Sequence, residues 1–118
     1  MVYDDKDFEN DPRLELWEEQ RKERGFDDRE LWDLDNTIAQ FILPRLKAFK
    51  PYTGSYPIGL TEKKWNHILK EMIWSFELVA AGEEYPPIEY TEEQRVLWRH
   101  RKQRGLNLFA KYLSHLWD

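Results

Sequence analysis

Residues 32–49 read WDLDNTIAQFILPRLKAF, and this stretch decides the fold because its apolar residues recur at the spacing of one helix face. The face comprises Leu31, Leu34, Ile38, Phe41, Ile42 and Phe49. On a helical wheel, Asp35 and Arg45 fall within the same face. Burying an unpaired charge is costly, so both side chains are predicted to be paired in a buried polar network or to belong to a site.

The residues before this stretch predict a polar tail and a first helix. Residues 1–10 are mostly polar, and Asp11 with Pro12 forms a typical helix start, with an acid at the N-cap and proline at the first helical position. Gly25 is a typical helix end, because glycine readily adopts the left-handed conformation. The first helix is therefore expected from about Asp11 to Arg24, with its charged residues in solvent.

The second helix contains the quoted stretch and is expected to begin at Asp27 or Asp28. Pro44 lies inside it, removes a backbone hydrogen bond and crowds the preceding turn, so we expect a kink there. Residues 50–60, KPYTGSYPIGL, are expected to form an ordered loop, because proline and glycine interrupt the helical period.

Two helical regions follow that loop. Thr61 is a typical N-cap for a third helix, whose apolar stripe continues over residues 65–80. Thr91 and Gln94 predict a capping box at the start of the last helical region. Gly105 interrupts this region, and because glycine costs about 1 kcal/mol in a helix interior, we expect a bend or break there.

Length and composition indicate one all-α domain. The chain has 118 residues, of which 41% are hydrophobic and 15% aromatic, enough for a modest core and too many for a disordered chain. No stretch alternates like a strand. We therefore predict a compact bundle of four to five helices over residues 11–118, preceded by the tail.

Several classes of function are disfavoured by composition. The absence of cysteine excludes thiolate chemistry and cysteine zinc sites, and the net charge of −5 argues weakly against nonspecific binding to nucleic acid or membranes. Neither a signal peptide nor an apolar run of about 20 residues is present, so a cytoplasmic protein is expected. Phosphate-binding loops and nucleophile motifs are lacking, so we expect no enzyme and no cofactor.

Four segments together resemble a family of small uncharacterised proteins encoded by tailed bacteriophages and prophages. They are the quoted stretch, the turn from Gly54 to Leu60, LTEKKWNHILKEMIWSFEL at residues 60–78, and RGLNLFAKYLSHLWD at residues 104–118. The resemblance covers residues 25–118. It implies a phage or prophage origin and expression in the cytoplasm of a bacterial host, and it assigns no catalytic residue, because the family has no settled activity.

Surplus aromatic residues favour protein binding as the function of such an accessory protein. Six Trp, six Tyr and six Phe exceed the needs of a small core, and large apolar side chains rimmed by charge are typical of protein interfaces. The partner would be another protein or a second copy. The predicted contact residues are Trp32, Trp74 and Trp98.

The basic run within residues 95–104 supports an alternative function, binding of nucleic acid. Arginine and lysine beside a tryptophan can follow a phosphate backbone. The predicted contacts are Arg99, Arg101, Lys102 and Arg104. The competing interpretation is a solvated helix end that forms ion pairs with the acidic first helix.

A metal-dependent hydrolase is the second alternative. Its centre would be Asp35 and Glu77 on neighbouring helices. A further ligand would come from His67, His100 or His115. The competing interpretation is a buried network of Asp35, Arg45 and Glu77 that fixes helix register. No spacing typical of a metal site is present, so no metal is predicted.

Overall fold

The computed structural model describes residues 4–118. This part of the chain contains five α-helices and two short 3-10 turns, joined by loops. The helices are α1 (Leu14–Arg24), α2 (Arg29–Trp32), α3 (Leu34–Tyr52), α4 (Glu62–Ala80) and α5 (Glu92–Tyr112). The 3-10 turns are Asp5–Phe8 and Leu113–His115. The prediction of an all-α protein is confirmed. Of the predicted polar tail, residues 1–3 lie outside the described residues.

The first helix ends at the predicted residue and begins slightly later than expected. Gly25 has a φ of 83° and closes α1 by donating its backbone N–H to the Arg21 carbonyl at 3.0 Å. At the other end, the Asp11 carboxylate accepts the backbone N–H of Arg13 at 2.9 Å. Asp11 therefore acts as a cap, although the regular helix begins only at Leu14.

The expected second helix is wrong as a single element, because Asp33 divides it into α2 and α3. The backbone of Asp33 has φ −136° and ψ 61°, outside the helical region. Its carbonyl accepts the N–H of Thr37 in the first turn of α3 at 3.0 Å. The hydroxyl of Thr37 donates to the carbonyl of Glu30 at 2.9 Å, which joins the two helices across the break.

The two residues expected to disturb helices both lie inside continuous ones. Helix α3 passes through Pro44 to Tyr52, and the kink there stays a prediction. We expected a break or bend near Gly105. The prediction of a break is wrong, because α5 is one helix through that position. A Cβ at Gly105 would overlap the Ser75 hydroxyl and lie 2.5 Å from the Glu71 carbonyl oxygen. Glycine is thus required by the close approach of α5 to α4.

Helix α4 is the centre of the fold, since α3 and α5 each pack along it. The buried core comprises Ala39, Leu46, Trp65, Leu69, Met72 and Phe76, four of which belong to α4. Half-buried residues of α5, among them Leu106 and Phe109, close the core from the other side. The structure as a whole is flat, with Cα extents of 53 × 41 × 19 Å.

Candidate protein-binding surface

The predicted buried network of Asp35, Arg45 and Glu77 is wrong, because all three residues are exposed. The side of α3 that packs on α4 carries Ala39 and Leu46, roughly 100° around the helix from the centre of the predicted face. Asn36 helps to hold this orientation, because its side-chain amide donates to the carbonyl of Ala80 at the end of α4 at 2.8 Å.

These three residues also lie too far apart for a common site. Glu77 forms an exposed ion pair with Lys47 at 3.2 Å. Lys47 lies twelve residues along α3 from Asp35, a distance of about 18 Å. The two carboxylates predicted to bind a metal therefore do not converge. Within residues 4–118, no three His, Cys, Asp or Glu side chains form a group that could hold a metal ion.

Asp35 belongs to an acidic cluster at the start of α3. Its carboxylate accepts the backbone N–H of Asn36 at 2.8 Å and lies beside Asp33. A hydrogen bond with Asp35, followed by burial and the negative charges of Asp35 and Glu84, raises the pKa of Asp33. Lys102 lines the same small depression, where its ammonium donates to the carbonyl of Glu83 at 2.8 Å.

The outward side of α3 carries an apolar stripe in place of the polar surface expected of a solvated helix face. Leu34, Ile38 and Phe41 follow one another at spacings of four and three residues, and each is about half exposed. Arg45 continues the stripe, with its guanidinium 3.7 Å from the ring centre of Phe41 and donating to the Phe41 carbonyl at 2.8 Å. We call Leu34, Ile38, Phe41 and Arg45 the α3 surface.

An apolar groove adjoins the α3 surface and runs between α3 and α5. It consists of two open depressions of about 530 and 350 Å³. Ile38 and Leu106 border the larger one, and Phe41 and Phe109 border the smaller one, a turn further along the same helices. Phe76 of α4 lies at the base, with its ring edge-on to Phe109 at a centroid distance of 4.9 Å.

The prediction that Trp98 contacts a partner is wrong, because Trp98 is only 7% exposed. Its ring packs edge-on against Trp74 of α4 at 6.4 Å. Trp74 is half-buried, and the guanidinium of Arg101 lies 4.0 Å from its ring centre. The ammonium of Lys102 lies 5.3 Å from the ring of Trp98. Both tryptophans therefore help to join α4 to α5.

Trp32 is about half exposed and forms part of a second aromatic cluster near the start of the chain. Its ring packs edge-on against Trp17 of α1 at 5.8 Å and against Phe8 at 5.9 Å. The guanidinium of Arg29 lies 4.4 Å from the centre of the buried Trp17 ring. Three of the eighteen aromatic residues thus pack together in this N-terminal segment.

A buried ion pair that the sequence did not reveal holds the same segment. Arg29 donates two hydrogen bonds to Asp27, at 3.1 and 2.8 Å, and both side chains are fully buried. Arg29 also reaches Asp5 at 2.7 Å, and Arg21 reaches Asp27 at 2.6 Å. Burial would raise the pKa of Asp27, but hydrogen bonds from Arg29 and Arg21 outweigh it and lower that pKa. Only the capping role of Asp27 was visible in the sequence.

The basic run on α5 is largely engaged within the chain. Arg101 donates to Glu71 of α4 at 2.9 Å and Arg104 does so at 3.4 Å. The pKa of Glu71 is lowered chiefly by its hydrogen bonds with Arg101, against the opposing effect of burial. The expected pairing with the acidic first helix is therefore wrong for these arginines. Nothing in the local pattern identifies Glu71, because the helix crossing that brings it to Arg101 joins residues 30 positions apart.

Arg99 and Arg104 are the exposed members of the predicted nucleic-acid contacts. Arg99 borders the larger depression of the groove, together with Lys102. Two exposed arginines, one of them paired with Glu71, are a small footprint for a phosphate backbone. The positive charge of this region thus belongs mainly to the contact between α4 and α5.

Comparison with known proteins found no matching protein-family model, no matching curated protein and no matching solved structure. The resemblance to a phage family therefore stays a prediction. In the part of the chain from residue 4 onward, no helix is long and apolar enough to cross a membrane.

Proposed function

We propose that this protein acts by binding protein, through the α3 surface and the adjoining groove. The observation that carries the proposal is the exposed apolar stripe on a helix that already packs another side, with Ala39 and Leu46, into the core. Large exposed apolar patches on soluble proteins are typical of interaction sites. Binding would remove Leu34, Ile38 and Phe41 from water, which is the main favourable term in protein association.

The proposed role is that of a small accessory protein of a phage or prophage, acting in the bacterial cytoplasm. The four segments quoted from the sequence support this setting. Nucleic-acid binding is the weaker proposal, because Arg101 and Arg104 are held by Glu71 and Lys102 by the carbonyl of Glu83. It would rest on Arg99 and on arginines released from that contact.

Site-specific photo-crosslinking tests the proposed function. A benzophenone amino acid is placed at Phe41, and a matched variant carries it at Leu97, an exposed apolar position of α5 outside the groove. The chain is irradiated in bacterial cells, and adducts are identified by mass spectrometry. We expect protein adducts from position 41, with a second copy or another chain, and few from position 97. Equal or absent adducts at the two positions would overturn the proposal.

A further inference from the structure

We propose that the α3 surface binds a second copy of this chain, with the two α3 helices antiparallel and Asp35 of each copy facing Arg45 of the other. This inference deepens the proposed function and rests on it. It names a second copy of the chain as the partner that covers the apolar stripe. The experiment below distinguishes a failure of this dimer from a failure of the proposed protein binding.

The first support is the surface area of the single chain. Its accessible surface is 8561 Å², about 1,700 Å² more than the roughly 6,900 Å² typical of a monomer of 14.5 kDa. A standard interface removes about 800 Å² from each partner. The excess surface is therefore large enough to supply an interface.

The second support is the position of the two charges along α3. Asp35 and Arg45 lie five residues on either side of Gln40, about 7.5 Å along the axis in each direction. A two-fold axis perpendicular to α3 at the level of Gln40, on the side of the helix away from the Gln40 side chain, brings each residue level with the one equally far on the other side. Asp35 of one copy then faces Arg45 of its partner, and the same pair forms a second time.

The third support is the state of these charges in the single chain. No ion pair within residues 4–118 involves Asp35 or Arg45. Asp35 lies beside the acids Asp33 and Glu84, and the cations that line the same depressions, Lys102 and Arg99, form no ion pair with it. The guanidinium of Arg45 is already oriented by Phe41, so less side-chain freedom is lost when it binds a carboxylate.

The same symmetry matches apolar residues between the charges. Ile38 of one copy comes opposite Ile42 of the other, and Ile42 borders the smaller depression of the groove. The pairing would therefore cover the half-exposed Ile38 and bring Phe41 near the partner's groove. Charged pairs at both ends of an apolar centre specify antiparallel orientation and register. A protein with net charge −5 needs such local complementarity in order to associate with itself.

The test is a charge-exchange cycle measured by light scattering after size exclusion and by sedimentation equilibrium. We expect the wild-type chain to have twice its 14.5 kDa mass. Asp35→Arg and Arg45→Asp should each weaken the dimer about tenfold or more, because each places like charges opposite one another. The double variant carries both exchanges and should recover most of the affinity. Lys70→Asp makes the same charge change as Arg45→Asp at an exposed position of α4, and it should leave the dimer unchanged.

Recovery in the double variant is specific to contact between copies. Within one chain, Asp35 and Arg45 lie about 15 Å apart along α3, so exchanging them restores no pair inside the monomer. Circular dichroism of each variant checks that α3 still folds. A monomeric wild type, single variants that dimerise normally, or a double variant as weak as the singles would overturn the inference. If adducts with a different protein still form at position 41, the proposed function stands without it.

Discussion

The carboxylate of Glu71 and the guanidinium of Arg101 form a two-point contact between α4 and α5, with Nη2 of Arg101 2.9 Å and Nε 3.2 Å from Oε2 of Glu71. The contact lies where Gly105 allows the two helices to approach. Glu71 is only 6% exposed, so its charge depends on these donors. The arginines of α5 thus have a structural role before any role in recognition.

Replacing Glu71 with glutamine should lower the free energy of unfolding by about 1–3 kcal/mol, because charge-assisted hydrogen bonds are lost at a buried acceptor. Urea denaturation at neutral pH measures the change. Glu77→Gln is the matched control, since Glu77 pairs with Lys47 on the exposed surface and should change stability by less than about 1 kcal/mol. Equal effects of the two substitutions would contradict the structural role of Glu71.

The contribution of Glu71 should also depend on pH. Its pKa in the folded protein lies below the ordinary value of 4.5, so the folded state favours the ionised form more than the unfolded state does. The stabilisation is fully present above pH 4.5 and is lost as pH falls through the lowered folded value. The difference in unfolding free energy between wild type and Glu71→Gln should therefore shrink below pH 4.5. A difference that grows on acidification would contradict a lowered pKa of Glu71 in the folded protein.

Gly105→Ala should destabilise the protein by about 1–3 kcal/mol, although alanine is the better helix former by about 1 kcal/mol. The added methyl group would meet the Ser75 side chain and the backbone of Glu71, and the backbone cannot move aside cheaply. Thermal unfolding measures the change. Asn107→Ala, at an exposed position of the same helix, is the control and should be nearly neutral or stabilising. A higher melting temperature for Gly105→Ala would show that α4 and α5 are not in close contact there.

Arg29→Ala should destabilise the N-terminal segment, because the buried carboxylate of Asp27 loses its ion pair and two hydrogen bonds with Arg29. Breaking a buried ion pair costs about 3–5 kcal/mol. Hydrogen exchange should report the loss as faster exchange in α1, while the amides of α4 remain protected. Lys22→Ala, which also removes a cation but at an exposed position of α1, is the control. Unchanged exchange in α1 of the Arg29 variant would contradict the role of this pair.

Trp98→Ala should reduce stability by about 3–5 kcal/mol, as expected for removal of a buried aromatic side chain. Leu97→Ala, at the exposed neighbouring position, should change it by no more than about 0.5 kcal/mol. Denaturant titration followed by circular dichroism distinguishes the two. A stable Trp98 variant that had lost only a binding activity would restore the original prediction that Trp98 is a contact residue.

Local signals in the sequence predicted the helix ends well. The Thr61 hydroxyl accepts the N–H of Lys64 at 3.1 Å, and Thr91 with Gln94 forms the complete capping box. Such signals succeed because a cap involves residues within one turn of each other. The break at Asp33 has no comparable pattern, and Gly105 is explained only by the approach of another helix.

The candidate surface was only partly predictable. The stripe of Leu34, Ile38 and Phe41 was recognised as one face of a helix, but it was assigned to the core. Apolar residues that recur every 3.6 positions indicate an apolar helix face. Such a face can belong to the core or to an interface, and the sequence pattern is the same in both cases. Which side of α3 meets α4 depends on Asn36 and Ala80, which are 44 residues apart.

The close contact at Gly105 shows that the same letters can serve two different structures in one chain. Residues 21–25 and 101–105 both read R-x-x-R-G. Gly25 has a positive φ and ends α1, with open space around it, whereas Gly105 lies inside α5 against Ser75 and Glu71. The glycine is required by the turn of its own backbone in the first case and by a neighbouring helix in the second.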